Sequence, residues 1–179
     1  MILKTMIKKL IEFLTSLKLF NKNGTNKVNL PIYVDNPEKI VKVIFSPLNV
    51  KSDRKSIKSN AYRGPAGKDE VSVMRQDYCS PTFCKQHGKK IQAPKEKKAY
   101  FGFGLLTAEK IRNVGANVEY TPEEHNDFHA DIKIGYIPEK GQELPAEYKY
   151  KVDEMANASK IYPDPNPDSN EWEGEDLIY

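Results

Sequence analysis

Eight residues, Ala99-Tyr100-Phe101-Gly102-Phe103-Gly104-Leu105-Leu106, constrain this chain more than any others. They are apolar throughout, of strand length, and bounded by charged and polar residues. A strand with no polar face belongs in the middle of a sheet. The Gly-x-Gly inside the run lacks the rest of a dinucleotide-binding fingerprint.

Other stretches read as its partners. Ile32-Tyr33-Val34 and Ile40 to Phe45 have strand character, and Glu70 to Arg75 alternates. Ser80-Pro81 reads as an N-cap and first helical residue, with Gly88 as the stop. Thr107 caps a helix over 108–114 that ends at Gly115, and 116–120 is a further strand. A helix over 145–158 should bury Tyr148, Val152, Met155 and Ala156. After it, Pro163, Pro165 and Pro167 exclude helix. The fold class expected is α+β, one mixed sheet with helices packed against it.

At 179 residues the chain suits one ordinary domain. Three parts are expected: residues 1–27 as an amphipathic helix and linker, 28–162 as the α+β domain, and 163–179 as an acidic, proline-rich tail. In the first part Ile7, Leu10, Leu14 and Leu17 share one apolar half of a helical wheel with six other apolar residues. Such a helix folds back on its own domain, docks on a partner protein or lies on an anionic membrane surface. Lys8, Lys9 and Glu12 break the apolar core a secretion signal needs. No charge-free run reaches the ~20 residues of a membrane span. A cytoplasmic, reducing setting is expected, in which Cys79 and Cys84 are free thiols or metal ligands.

The formal charge of +3 conceals a strong asymmetry. Residues 51–98 carry thirteen basic and five acidic side chains, whereas 163–179 carry six acids and no base. The basic block, with Arg54, Lys58, Arg63, Arg75 and Lys89, either meets an acidic partner such as nucleic acid or is met by the acidic end of the same chain. Overlapping its start, 49–69 reads as one long loop. Gly64-Pro65-Ala66-Gly67-Lys68 is too short for a phosphate loop and is followed by Asp69 rather than Ser or Thr.

Two clusters carry possible chemistry. Thr121-Pro122-x-Glu124 is a capping-box pattern that predicts a short helix from Pro122. His125 and His129 would then share a face beside Asp131, which opens a strand to Ile137. Two imidazoles and a carboxylate suit zinc or acid–base work. The second cluster is Cys79-x4-Cys84-x2-His87, a soft-ligand spacing that His125 or His129 could complete as a zinc site. Cys84 near a helix N-terminus is also a candidate nucleophile with a histidine base. The function expected first is a non-enzymatic interaction module docking a protein through its N-terminal helix, its basic surface meeting an acidic partner. The alternative is a small metal-dependent or cysteine hydrolase, acting on phosphodiesters if its site adjoins that surface, built on His125, His129, Asp131 or Cys84.

Overall fold

The computed structural model describes residues 30–91 and 98–179. The expected N-terminal helix, with Ile7, Leu10, Leu14 and Leu17, lies outside the described residues. The described chain is α+β: six strands in one sheet, with helices packed against it. Every strand pair is antiparallel, so the expected mixed sheet is corrected.

Strand β1 spans Lys39–Ser46, β2 Val71–Arg75, β3 Ala99–Thr107, β4 Asn117–Tyr120, β5 His129–Lys133 and β6 Lys160–Pro163. The order across the sheet is β4-β5-β2-β1-β3-β6. Helix α1 spans Pro81–Ile91, α2 Ala108–Asn113 and α3 Ala146–Ala158. The apolar run is β3, an interior strand between β1 and β6, buried at every position from Tyr100 to Leu106.

Strand alternation sorts the core into two faces. Ile40, Ile44, Val71, Val73, Ala130 and Ile132 face α2, α3 and the 49–62 segment. Val41, Val43, Phe45, Met74 and Phe103 face α1 and the C-terminal segment. A bulge in β3 opposite Ile44 and Phe45 sends Phe101 and Phe103 to different clusters. Gly102 sits at that bulge with φ 144°, where a Cβ would lie 2.1 Å from the Tyr162 carbonyl oxygen.

Five local expectations are corrected. Residues 32–34 form no strand, because side chains take their carbonyls: Arg75 bonds Pro31 O and Tyr33 O, and Arg112 bonds Val34 O. The 49–69 segment is not structureless. Val50 bridges Ile57, a 3-10 turn spans Ser59–Tyr62, and Val50, Ile57, Ala61 and Tyr62 are core residues. Gly88 does not end α1, which runs on to Ile91. A Cβ at Gly88 would lie 2.7 Å from Val43, so glycine there lets the helix approach the sheet. The helix from Pro122 is absent; residues 121–128 are a tight turn that joins β4 to β5. Finally, β5 stops at Lys133, because the Asp69 carboxylate takes the Ile134 and Gly135 amides at 2.8 and 2.9 Å.

Other expectations hold. Thr107 caps α2, its hydroxyl accepting from the Lys110 amide. In α3 the buried residues are Tyr148, Val152, Met155 and Ala156. The prolines after residue 162 leave room for β6, a short edge strand on β3. Beyond it Trp172 packs on Phe103 at 4.8 Å and Leu177 is buried.

Candidate functional site

The pairing between β1 and β2 covers only Ile40↔Arg75 and Val41↔Met74, whereas β1 and β3 pair over eight positions. The sheet therefore opens beyond Val41, and Lys42 spans the gap, its Nζ donating to Ser72 O at 2.9 Å. At the gap lies a cleft of about 50 Å³, lined by Lys42, Ser72, Val73, Met74, His87, Ile91 and His129 among others.

His129 reaches this cleft through register. It pairs with Met74 on β2, which pairs with Val41 on β1, so all three share the α1 face. Asp131, two residues on, shares that face. Thr121, at the end of β4, ties both together. Its hydroxyl donates to Asp131 Oδ2 at 2.9 Å and lies 3.1 Å from His129 Nδ1. The Thr121 carbonyl lies 2.7 Å from the same Nδ1.

These partners settle the tautomer. A carbonyl only accepts, so Nδ1 carries the proton. The imidazole is then a donor at Nδ1 and, while neutral, an acceptor at Nε2. Nε2 is buried and no protein group hydrogen-bonds it. The nearest carboxylate oxygens, Glu123 Oε1 and Asp131 Oδ1, stand at 3.6 and 4.0 Å, beyond hydrogen-bond length. Buried polar atoms are almost always paired, so an orphan of this kind calls for a reason.

Two other groups frame the cleft. Burial lowers the Lys42 ammonium to about 8, with the Asp131 carboxylate acting the other way. His87, on α1, stacks on Phe83 and has its Nε2 3.5 Å from the Asn126 amide nitrogen. Its protonation is shifted down, first by burial and further by His129 and Lys90, against the pull of Glu123.

The predicted site residues thus divide. His129 and Asp131 come together, but on a strand and not at a helix-to-strand corner, and Asp131 lies inside β5 rather than opening it. His125 sits exposed in the turn and shares no face with His129. Cys79 and Cys84 touch, Sγ to Sγ 3.4 Å, and both are buried. Contact with Cys79, then burial, pushes the Cys84 thiol well above its usual range, the reverse of an activated thiolate. Among the described residues no group of three His, Cys, Asp or Glu side chains is arranged to hold a metal ion, so Cys79, Cys84, His87 and His129 do not form one ligand set.

The basic block is divided as well. Arg75 is fully buried in a fork with Glu38, both contacts at 2.8 Å, and lies between the Tyr78 and Tyr120 rings at 4.7 and 5.0 Å. It offers no face to a phosphate. Lys89 donates to the Asp168 and Ser169 carbonyls, and Lys85, fully buried, bonds Asp164, Asn166 O and Glu171 O within 2.8 Å. The acidic C-terminal segment therefore takes up basic residues of α1. Lys58 donates to Pro47 O, while Arg54 and Arg63 are exposed, Arg54 over the Phe101 ring.

Lys42, which lines the cleft, and Thr121, which holds His129 and Asp131, are the residues that sequence reasoning missed. A single lysine in the apolar run Ile40-Val41-Lys42-Val43-Ile44 was the signal for the first. Among the described residues no helix is long and apolar enough to cross a membrane. Comparison with protein-family models, with curated proteins and with solved structures finds no match to this chain, so the cleft's geometry is what a functional reading can stand on.

Proposed function

We propose that the protein carries out metal-free acid–base chemistry of the hydrolase type at His129, with Asp131 and Thr121 as positioning residues. The observation that supports this is the buried Nε2: the Thr121 carbonyl sets the ring's tautomer, His129 is one of the residues that line the cleft, and no protein group hydrogen-bonds this nitrogen. A general base needs that arrangement, a held ring with one free nitrogen. Asp131 stands to His129 through the Thr121 hydroxyl, and its carboxylate lies close enough to stabilise an imidazolium. The cleft, about 50 Å³, has room for one water, or two at most, since water occupies about 30 Å³ in the liquid. It admits the attacking water or one reacting group, and the rest of a substrate stays outside.

Activated esters and phosphodiesters test this. The wild-type chain should hydrolyse at least one of them above the buffer rate. His129→Gln should lower that rate by about 10² or more, the share a general base supplies. Equal rates in wild type and His129→Gln contradict the proposal.

A second reading, docking on a partner protein through Ile7, Leu10, Leu14 and Leu17, has one supporting observation. Arg75 and Arg112 grip residues 31–34, which follow that segment, and leave Ile32 and Tyr33 85% and 66% exposed. The domain thus holds firmly the point where the segment joins it. Removing residues 1–20 should leave the thermal midpoint in place and abolish binding to the partner; a lowered midpoint contradicts docking.

A further inference from the structure

We propose that Cys79 and Cys84 form an oxidisable dithiol, which hydrogen peroxide converts into a reversible disulfide across the start of α1. The inference is independent of the His129 reading.

Local sequence places the two sulfurs. Ser80 caps α1: its hydroxyl accepts from the Phe83 amide and its carbonyl from the Cys84 amide, both at 3.1 Å. Pro81 is then the first helical residue, so Cys79 precedes the cap and Cys84 is the fourth residue of the helix. Those two positions meet in a hydrophobic staple, which fixes how a chain enters its helix. Here both are cysteines, buried together with their sulfurs 3.4 Å apart. A disulfide needs about 2.05 Å, so the sulfurs have about 1.4 Å to close. Two aliphatic side chains would staple the helix as well but could form no bond.

The contacts assign a role to each sulfur. Cys79 Sγ donates to Arg75 O at 3.4 Å, which leaves Cys84 Sγ as the donor to Cys79. Contact with Cys79, then burial, raises the Cys84 thiol well above its usual range, so Cys84 keeps its proton. Cys84 is also fully buried, whereas Cys79 retains 7% exposure in the turn between β2 and α1. Cys79 therefore meets the oxidant, and Cys84 acts on Cys79. Hydrogen peroxide has two heavy atoms, so that turn need open little to admit it.

The steps balance with peroxide as the named oxidant. Cys79 Sγ attacks one peroxide oxygen, an S–O bond forms, and the O–O bond breaks. The departing hydroxide takes the thiol proton and leaves as water. Sulfur is oxidised to a sulfenic acid and peroxide is reduced. Cys84 Sγ then attacks Cys79 Sγ, the S–S bond forms, and the S–O bond breaks. The hydroxyl leaves as water with the Cys84 proton. Two thiols and one peroxide give one disulfide and two waters.

The full chain tests this without any substitution. It is treated with hydrogen peroxide, unfolded in the presence of a maleimide and digested with trypsin, which leaves both cysteines in the peptide 76–85. That peptide should carry no maleimide and be lighter by two hydrogens, and dithiothreitol should restore both thiols. The oxidised chain should melt roughly 4–8 °C above the reduced one, as closing so short a loop predicts. In Cys84→Ala, oxidation should stop at a Cys79 sulfenic acid that dimedone traps. In Cys79→Ser, dimedone should label Cys84 at least about tenfold less, because a buried, protonated thiol is inert. Two thiols still open to the maleimide, after peroxide that oxidises free cysteine in the same solution, overturn the proposal. An oxidised chain that melts below the reduced one does so too. Equal dimedone labelling of the two variants overturns the roles given to the two sulfurs.

Discussion

Arg75 and His129 are close neighbours in the sheet, yet the structure treats them in opposite ways. The Arg75 amide donates to Phe128 O, and His129 pairs with the residue before Arg75. Both side chains are buried. Arg75 has its Nε and both terminal nitrogens engaged, by Glu38 and two carbonyls, and its guanidinium lies over the Tyr78 and Tyr120 rings. His129 has one nitrogen tied and one buried without a hydrogen-bond partner, in a residue that lines a cleft. A buried polar group with all its partners holds structure together; one left open at a cavity is where chemistry is to be looked for. Lys85 repeats the first case and Lys42 leans to the second, with one bond for its ammonium where Lys85 has three.

Removing the two satisfied cations should produce the largest losses. Arg75→Ala leaves Glu38 buried without its partner and frees residues 31–33 from the domain. A loss of about 5 kcal/mol is expected, the upper range for breaking a buried pair, read from the urea midpoint. Lys85→Met strands Asp164 at zero exposure, for about 3 kcal/mol. It should also make the bonds near 166–171 open to a protease. If either variant unfolds like the wild type, full satisfaction is no sign of a structural role.

Gly88→Ala comes next. A methyl there meets Val43 at 2.7 Å, so about 1–3 kcal/mol should be lost as α1 lifts off the sheet. His129→Gln should cost under about 1 kcal/mol, since an amide can still donate to the Thr121 carbonyl, while hydrolysis collapses. A large stability loss with intact hydrolysis would place His129 beside Arg75 as a structural group.

The smallest expected effect is in pH dependence. His87 has its folded-state protonation shifted down, so the unfolded chain binds the proton more readily. Stability from this group is present above the unfolded value of ~6.5 and is lost as pH falls through the lower folded one. His87→Gln should flatten the stability curve in that mildly acidic window, measured by thermal midpoints.

Sequence showed what depends on local pattern. The apolar β3, the alternation of β2, the Thr107 cap and the buried face of α3 all follow from residues close together in the chain. Long-range partners decided the rest. Thr121-Pro122-x-Glu124 has the signs of a helix start, but the pairing of β4 with β5 needs a tight turn there, and the Thr121 hydroxyl serves Asp131 instead of a helix amide. Gly88 has the sign of a helix stop but serves a helix-to-sheet contact. Carbonyls of residues 31–34 found arginines rather than a strand. As for the site, the histidine and aspartate were legible as chemistry-bearing residues, but their arrangement was not. Lys42 was passed over because a lone lysine in an apolar strand reads as a break in alternation. Only the short pairing between β1 and β2 shows that a cleft opens at that position.

The central claim is that His129 holds its proton on Nδ1 and keeps Nε2 free at the cleft. Nitrogen-15 NMR of the imidazole, in mildly alkaline solution, measures this directly. The account predicts a protonated Nδ1 and a bare, pyridine-like Nε2. A proton resident on Nε2 would contradict it.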